Sequence, residues 1–405
     1  MKLFFVLLLI ISLVSNVKSL YDSSTSGGES ENVLDLKRNI SQLIEARGYP
    51  VENHQAITPD GYILSIQRIP AGRYQNNPNP YGSNGKPAVI LQHGVEDIGT
   101  SWVIQENVYQ SLGFILADNG FDVWINNVRG TTYSNSSIYF DPSSRDFWAF
   151  SFDQMAQYDL PTVLNLVLET TGNKKVGYAG HSQGTTMAFI AMSNQTIAEK
   201  INLFIALAPV VRVTHCESKL LDVLAEFNID ILFEVLGGKS FLADTPFLQK
   251  YLPIICKNKP IYCQNSLALI MGWDEANINN TRLPVYMAHE PGGTSVQNVA
   301  HWAQATKYGY QKFDYGVIGN LAHYGQATPP KYNISDFKVP VVVYSGGQDY
   351  LADPTDVNWL IPQLTSLVHW KNIPSYSHLD FVWAEDAYLQ VYDEAVQYLI
   401  KYANT

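Results

Sequence analysis

Charge is scarce in this chain: Asp, Glu, Lys and Arg make up only 16% of its 405 residues, and like charges never run beyond adjacent pairs. That excludes a polyelectrolyte tail and a long coiled coil, both of which need dense charge. Positive charge is the scarcer sign, with 26 Lys+Arg against 37 Asp+Glu for a net −11. A surface that acidic repels phosphate backbones, so nucleic acid is excluded as a partner. Only three cysteines are present, too few for a disulfide-stapled scaffold. No H-E-x-x-H, Cys/His cluster or glycine-rich phosphate loop occurs, so neither a metal nor any other cofactor is expected. What is there is 46% hydrophobic and 12% aromatic, ample apolar surface for a large globule.

The first residues read as a leader. Met1-Lys2 precedes an apolar run from Leu3 to Val14, followed by small residues around Ser19. A positive start, a short apolar stretch and a small-residue exit predict a secretory signal peptide over 1–19. The alternative, a membrane anchor, needs about 20 apolar residues, and no run here is that long. The implied destination is the secretory pathway, ending in a lysosome or endosome or outside the cell, with no transmembrane segment in the mature chain. Five N-x-Ser/Thr sequons, at Asn39, Asn135, Asn194, Asn279 and Asn333, fit that route as glycan acceptors. Cys256 and Cys263 bracket a short segment with Pro260, a spacing that closes as a local disulfide and leaves Cys216 as a buried thiol. Three free thiols is the alternative. Nothing marks a second copy of the chain, and a monomer is expected.

Residues 33–48 carry helical spacing, and Pro59-Asp60-Gly61 sits between two short extended runs as a hairpin turn. After an Asn/Pro/Gly/Ser-rich loop over 71–86, short apolar runs alternate with longer helical ones. Strands are predicted at 88–91, 121–125, 176–179, 203–207, 339–344 and 367–373. Helices are predicted near 105–118, from Asp159 (as cap, with Pro161 in the first turn) to Thr171, at 184–197 and at 386–402. That alternation predicts a parallel α/β sheet. Between about 211 and 333 the texture changes to Leu/Phe-rich helical pieces, Leu220 to Leu236 and Phe247 to Ile255, with aromatic clusters. Such an insertion between two strands of one sheet reads as a cap over the strand ends. A separate domain elsewhere on the surface is the alternative.

Gly180-His181-Ser182-Gln183-Gly184 matches G-x-S-x-G with an apolar strand before it and a helix after it. A serine on so sharp a turn needs glycines where a Cβ would clash, and the turn lifts its hydroxyl clear of the backbone. Ser182 is therefore the candidate nucleophile, with the Gln183 N–H aimed at a developing oxyanion. Acid and base should follow in the order Ser, Asp, His. Asp349 follows the strand at 339–344 on a glycine turn, and His378 follows the next strand. Asp353 and Asp356 read as helix-capping rivals, Asp380 lies too close to His378 in sequence, and His301 and His323 read as packing residues in or beside the cap. Leu91-Gln92-His93-Gly94-Val95 supplies the second oxyanion donor, the Val95 N–H.

Taken together, these segments resemble the acid lipase family. The resemblance covers roughly residues 37–402. It is carried by Asp60-Gly61-Tyr62-Ile63-Leu64, Leu91-Gln92-His93-Gly94, Phe147-Trp148-Ala149-Phe150-Ser151, Tyr158-Asp159-Leu160-Pro161 and Gly180 to Thr186. Gly292-Gly293-Thr294-Ser295-Val296-Gln297-Asn298, Leu351-Ala352-Asp353-Pro354 and His378-Leu379-Asp380-Phe381 complete it. It implies an α/β-hydrolase fold with a mostly parallel sheet and a largely helical cap and lid. The core would span 20–210 and 334–405 and the cap 211–333. The family's catalytic serine, acid and base fall on Ser182, Asp349 and His378, its oxyanion donors on Val95 and Gln183, and its cap disulfide on Cys256 and Cys263. Val95 stands where the family usually has leucine, the loop between the cysteines is shorter, and a further family cysteine is replaced near Met271. The implied activity is hydrolysis of triacylglycerols or cholesteryl esters at a lipid–water interface through an acyl-enzyme. An acyltransferase or thioesterase would use the same triad, whereas a non-catalytic lipid-binding relative would be expected to have lost one of its members.

Overall fold

The computed structural model describes residues 31–73, 85–226, 233, 237–243, 246–272 and 277–403. The leader expected over 1–19, most of the 71–86 loop and part of the Leu220–Leu236 stretch lie outside these residues. Ten strands are described: β1 (Glu52–Ile57), β2 (Ile63–Ile69), β3 (Ala88–Gln92), β4 (Asp122–Asn126), β5 (Val176–His181), β6 (Ile201–Leu207), β7 (Ser240–Phe241), β8 (Thr294–Ser295), β9 (Val341–Gly346) and β10 (Leu367–Ile373). Eight of them form one sheet in the order β1-β2-β4-β3-β5-β6-β9-β10. The hairpin β1–β2 and the β2–β4 pair are antiparallel, and every other neighbour is parallel.

Each of the six predicted runs overlaps a strand of this sheet; β3, β4, β5, β6 and β9 are buried throughout, as a parallel strand covered on both faces requires, while β10 at the edge is mostly half-buried. Within them, alternate residues serve different cores. Val89, Leu91, Val123 and Ile125 join one cluster, while Ala88, Ile90, Trp124 and Tyr178 join another.

Four helix expectations differ from the structure, one of them being 184–197, which divides into Gln183–Ala191 and Gln195–Ala198. Residues 33–48 form two helices, Glu31–Asp35 and Ile40–Ala46, the second started by the Asn39 side chain accepting the Gln42 N–H. Near 105–118 the α-helix is only Leu112–Asp118, after a single tight turn at Val108–Gln110. Asp159 does not cap its helix. The chain is already helical from Phe152 and passes through a wider turn at Met155–Asp159 before Leu160–Thr171. Pro161 has no N–H to give, and the wider turn accommodates that missing bond.

The Asp159 carboxylate serves Arg129 instead. It accepts from the Arg129 backbone N at 3.1 Å and from Nε at 2.8 Å. The same guanidinium reaches Asp60 on the hairpin turn at 2.5 and 2.9 Å and lies 4.0 Å over the Tyr62 ring. Arg129 thus ties the hairpin, the end of β4 and the helix together, a buried charge with its donors shared between two carboxylates.

Between β6 and β9, which pair directly, the chain leaves the sheet for helices at Lys219–Ala225, Pro246–Asn258, Pro260–Met271, Leu283–His289, Val296–Tyr308 and Gly316–Tyr324. The short strands β7 and β8 pair with each other inside this insertion. Helix Pro260–Met271 ends against the main sheet's loops: the Met271 carbonyl accepts the backbone N–H of His378 at 3.2 Å. None of the described helices is long and apolar enough to cross a membrane.

Candidate active site

The site lies where β3, β5, β9 and β10 end. Ser182 directly follows β5 with φ 54° and ψ −122°, a conformation costly for a residue with a Cβ. The crowding around it explains the two glycines. A Cβ on Gly180 would sit 2.9 Å from the Gly184 carbonyl, and one on Gly184 would sit 2.6 Å from the Gln92 oxygen. The turn therefore closes only where both positions lack side chains. Tyr178 Oη donates to the Gly184 carbonyl at 2.9 Å and braces the same turn.

Three side chains meet in one hydrogen-bonded line. Ser182 Oγ lies 2.7 Å from His378 Nε2, and His378 Nδ1 lies 2.9 and 2.8 Å from the two oxygens of Asp349. All three are buried. Asp349 Oδ1 also accepts the backbone N–H groups of Leu351 at 2.9 Å and Ala352 at 2.7 Å, so the turn after β9 fixes the carboxylate. With the carboxylate on Nδ1, the proton of neutral His378 sits there and Nε2 is left to accept the serine proton.

The rivals are occupied elsewhere. Asp353 caps helix Pro354–Leu360 through the Thr355 N–H, as expected. Asp356, expected to cap as well, lies inside that helix and binds Arg212 and His215, and Asp380 accepts the Ser377 N–H. His301 stacks on Phe152 and bonds Ser151 and the Gln311 carbonyl, and His323 stacks on Tyr315.

His181 was expected only as a member of the turn, but it also supports the base. Its Nε2 lies 2.9 Å from the His378 carbonyl. Burial, and then the neighbouring His378, press its pKa down to about 4, so His181 is neutral and Nε2 carries the donated proton. On the other side, the Val128 N–H donates to His93 Nε2 at 3.1 Å, which puts the His93 proton on Nδ1, facing the Gly94 carbonyl at 2.8 Å. His93 thereby orients the peptide that precedes Val95. Neither the Val95 N–H nor the Gln183 N–H has an acceptor among the described residues. Both are available to an anionic oxygen.

Gln183 is anchored by residues with no local signal for that role. Its Oε1 accepts from Asn298 Nδ2 at 2.7 Å and from Trp302 Nε1 at 2.8 Å, both on helix Val296–Tyr308. Asn298 Oδ1 in turn accepts the Phe152 N–H at 2.8 Å.

A cavity of about 270 Å³ opens onto Ser182 and His378. Its walls are largely apolar and come mainly from the insertion, among them Leu220, Phe241, Leu252, Leu267 and Met287, with Trp383 from the sheet side. Cys256 and Cys263 are disulfide-bonded across the junction of helices Pro246–Asn258 and Pro260–Met271, and Cys263 lines the cavity. Cys216 is only half-buried, not fully buried as expected, and burial still pushes its thiol up to about 11. Of the sequons, Asn39, Asn194 and Asn333 stand exposed, and Asn135 and Asn279 are half-buried. No group of His, Cys, Asp and Glu among the described residues could hold a metal ion.

Comparison with known proteins gives a consistent result. The family described as "alpha/beta hydrolase fold" matches residues 87–385, and the "partial alpha/beta-hydrolase lipase region" matches residues 40–106. Gastric triacylglycerol lipase of Bos taurus is 48% identical over 370 residues, covering 89% of this chain and 91% of that one. Lysosomal acid lipase/cholesteryl ester hydrolase of Homo sapiens is 42% identical over 386 residues, covering 94% and 95%. A soluble variant of monoglyceride lipase from Saccharomyces cerevisiae superposes with a TM-score of 0.51 at 16% identity, covering 88% of this chain and 97% of that one, a likeness of fold.

Proposed function

The chain belongs to the alpha/beta-hydrolase lipase family, with gastric triacylglycerol lipase and lysosomal acid lipase among its relatives, and from that premise we propose that Ser182 is the nucleophile of a lipid-ester hydrolase. His378 is its general base and Asp349 orients that base. The observation that carries this reading is the 2.7 Å contact between Ser182 Oγ and a His378 whose other nitrogen is held by Asp349.

Ser182 attacks the ester carbonyl carbon as His378 takes its proton, and the carbonyl oxygen becomes an oxyanion facing the Val95 and Gln183 amides. Each such donor contributes roughly 10²–10³ in rate. Collapse of the intermediate breaks the bond to the alkoxy oxygen, which leaves with the proton from His378. Water, activated by the same histidine, then hydrolyses the acyl-enzyme.

The insertion, taken as the cap over 211–333, supplies the acyl-binding wall. Ile261, Tyr262 and Leu269 stand exposed on helix Pro260–Met271, which suits a surface that meets lipid. The substrates of this reading are long-chain esters such as triacylglycerols and cholesteryl esters at a lipid–water interface. The place of action is the secretory pathway, ending in an endolysosome or outside the cell. The test is hydrolysis of emulsified triolein and cholesteryl oleate by wild type and Ser182→Ala. Activity of the wild type that drops at least 10³-fold in the variant, with its fold intact by circular dichroism, is expected. Full activity of Ser182→Ala refutes the assignment.

A further inference from the structure

Three carboxyl groups crowd the loop that carries Val95, and the mechanism above uses none of them. Glu96 and Asp97 follow Val95 directly, and Glu290 comes from the far side of the insertion, 192 residues from the Ile98 amide it meets. All three line the same cavity as Ser182 and His378.

Asp97 folds the loop onto itself. One oxygen accepts the Ile98 N–H at 2.7 Å and the Ser101 hydroxyl at 2.5 Å, and the other accepts the Gly94 N–H at 3.3 Å. Glu290 Oε1 takes the same Ile98 N–H at 3.3 Å, so two carboxyls converge on one hydrogen. Glu290 Oε2 is shut off from solvent and has no partner among the described residues. The two segments are also joined through the backbone, with the Gly292 N–H donating to the Glu96 carbonyl at 2.6 Å. Glu96 adopts φ 58°, and both its carboxyl oxygens are closed to solvent without a hydrogen-bond partner among the described residues.

Glu290 is buried and Asp97 half-buried, and two carboxylates drawn to one N–H cannot both be ionised at modest cost. The Ile98 N–H favours the Glu290 anion, whereas Glu96 adds a like charge to that of Asp97. Tyr133 faces Glu290, His181 and His93 face Asp97, and no arginine or lysine acts on Glu96 or Glu290. Burial first, and Asp97 second, hold the Glu290 carboxyl well above the usual range, and burial does the same for Glu96.

We propose that the Glu290 carboxyl is held protonated beside Asp97, and that this contact is a positioning device for the Val95 amide, released as rising pH removes the Glu290 proton. The inference rests on the Ser182 reading above. Loss of the proton leaves two facing anions on a loop whose shape depends on Asp97. The loop separates from Glu290, and Val95 no longer points at the oxyanion. Because that donor acts on the transition state, kcat falls while KM holds.

The test measures kcat and KM for the full-length protein on soluble p-nitrophenyl butyrate from pH 4 to 8.5. Wild type, Glu290→Gln and Asp97→Asn are compared, with Ser182→Ala as blank. Wild type is expected to lose kcat on an alkaline limb. Glu290→Gln, uncharged at every pH, should move that limb up by about one pH unit or more, raising the ratio of kcat at pH 7.5 to kcat at pH 5 about tenfold. Asp97→Asn removes the opposing charge but also an oxygen that holds the Ile98 or Gly94 N–H, so it should lower kcat at every pH and still move the limb the same way, which covers the case of a Glu290 variant that does not fold. An absent alkaline limb in the wild type, or a limb left unmoved in the variants, overturns the proposal. An active Ser182→Ala overturns the underlying reading instead.

Discussion

Asn298→Asp changes one atom type at a fully buried position and breaks a network that has only one allowed direction. Trp302 Nε1 can only donate, so Gln183 must turn its Oε1 toward it at 2.8 Å. Asn298 must then offer its NH2 to the same oxygen at 2.7 Å and its Oδ1 to the Phe152 N–H at 2.8 Å. A carboxylate still serves Phe152, but its second oxygen faces Gln183 Oε1 as acceptor against acceptor. Gln183 cannot flip without setting its own NH2 against the indole N–H. The lost bond leaves a buried acceptor half-satisfied, about 1–3 kcal/mol, and an unpaired buried anion adds to that. We expect Asn298→Asp to lose about 3–5 kcal/mol at pH 7.5, and kcat/KM to drop ten- to a hundredfold as the helix bearing the Gln183 amide shifts. Once protonated, the introduced carboxyl would donate to Gln183 again. Its folded-state pKa lies above the unfolded value, so the defect is present above that pKa and shrinks as pH falls through it. Chemical denaturation of both proteins at pH 4.5 and 7.5 reads this directly. Equal stability at pH 7.5, or an equal deficit at both pH values, refutes the directional network.

Two further predictions follow from the same neighbourhood. Gly184→Ala should abolish activity and lower Tm, because its Cβ would stand 2.6 and 2.9 Å from the Gln92 and His93 carbonyl oxygens; Gly177→Ala, whose Cβ would meet the flexible end of Leu399 at 2.8 Å, should be far milder when kcat/KM and Tm are compared. His181, pressed to about 4 by burial and by His378, binds its proton less readily folded than unfolded. Stability from this group is therefore intact above pH 6.5 and is lost as pH falls toward 4, by about 3 kcal/mol in all. His181→Gln keeps a donor for the His378 carbonyl and should flatten the acid side of a plot of unfolding free energy against pH. An unchanged plot would show that His181 is not the titrating group.

The central sheet was legible because parallel strands buried on both faces announce themselves as unbroken apolar runs, as at Ala88–Gln92 and Ile201–Leu207. The approach of Ser182, Asp349 and His378 was legible from chain order and from glycines at strand ends. What was not legible depends on partners far away in sequence. Asp159 reads locally as a cap before Pro161, and nothing near it says that Arg129 will claim its carboxylate. Glu290 carries no local signal at all, since its meaning arises only when the insertion folds back over Ile98. Asn298 was visible as part of a resembling segment, but its role depends on the indole of Trp302 fixing which way an amide points.

Two of those misses, Glu290 and Asn298, distinguish the two amides that the proposed mechanism offers to the oxyanion. Gln183 is held by neutral groups, the Asn298 amide and the Trp302 indole, whose hydrogen bonds are the same at every physiological pH. The loop of Val95 is held by Asp97 and Glu290 through the Gly94 and Ile98 N–H groups, and on the proposal above Glu290 supports it only while protonated. An oxyanion hole with one fixed and one titratable support has a built-in partial state, in which substrate still fits the apolar cavity but one donor is lost. The cavity wall does not titrate, so pH acts on the rate of the chemical step through Val95 and leaves acyl-chain binding alone. The insertion therefore does two separate things for one site. On the proposed mechanism its helices shape the space for the acyl chain, and the segment at Glu290 sets the charge state beside the loop that carries Val95.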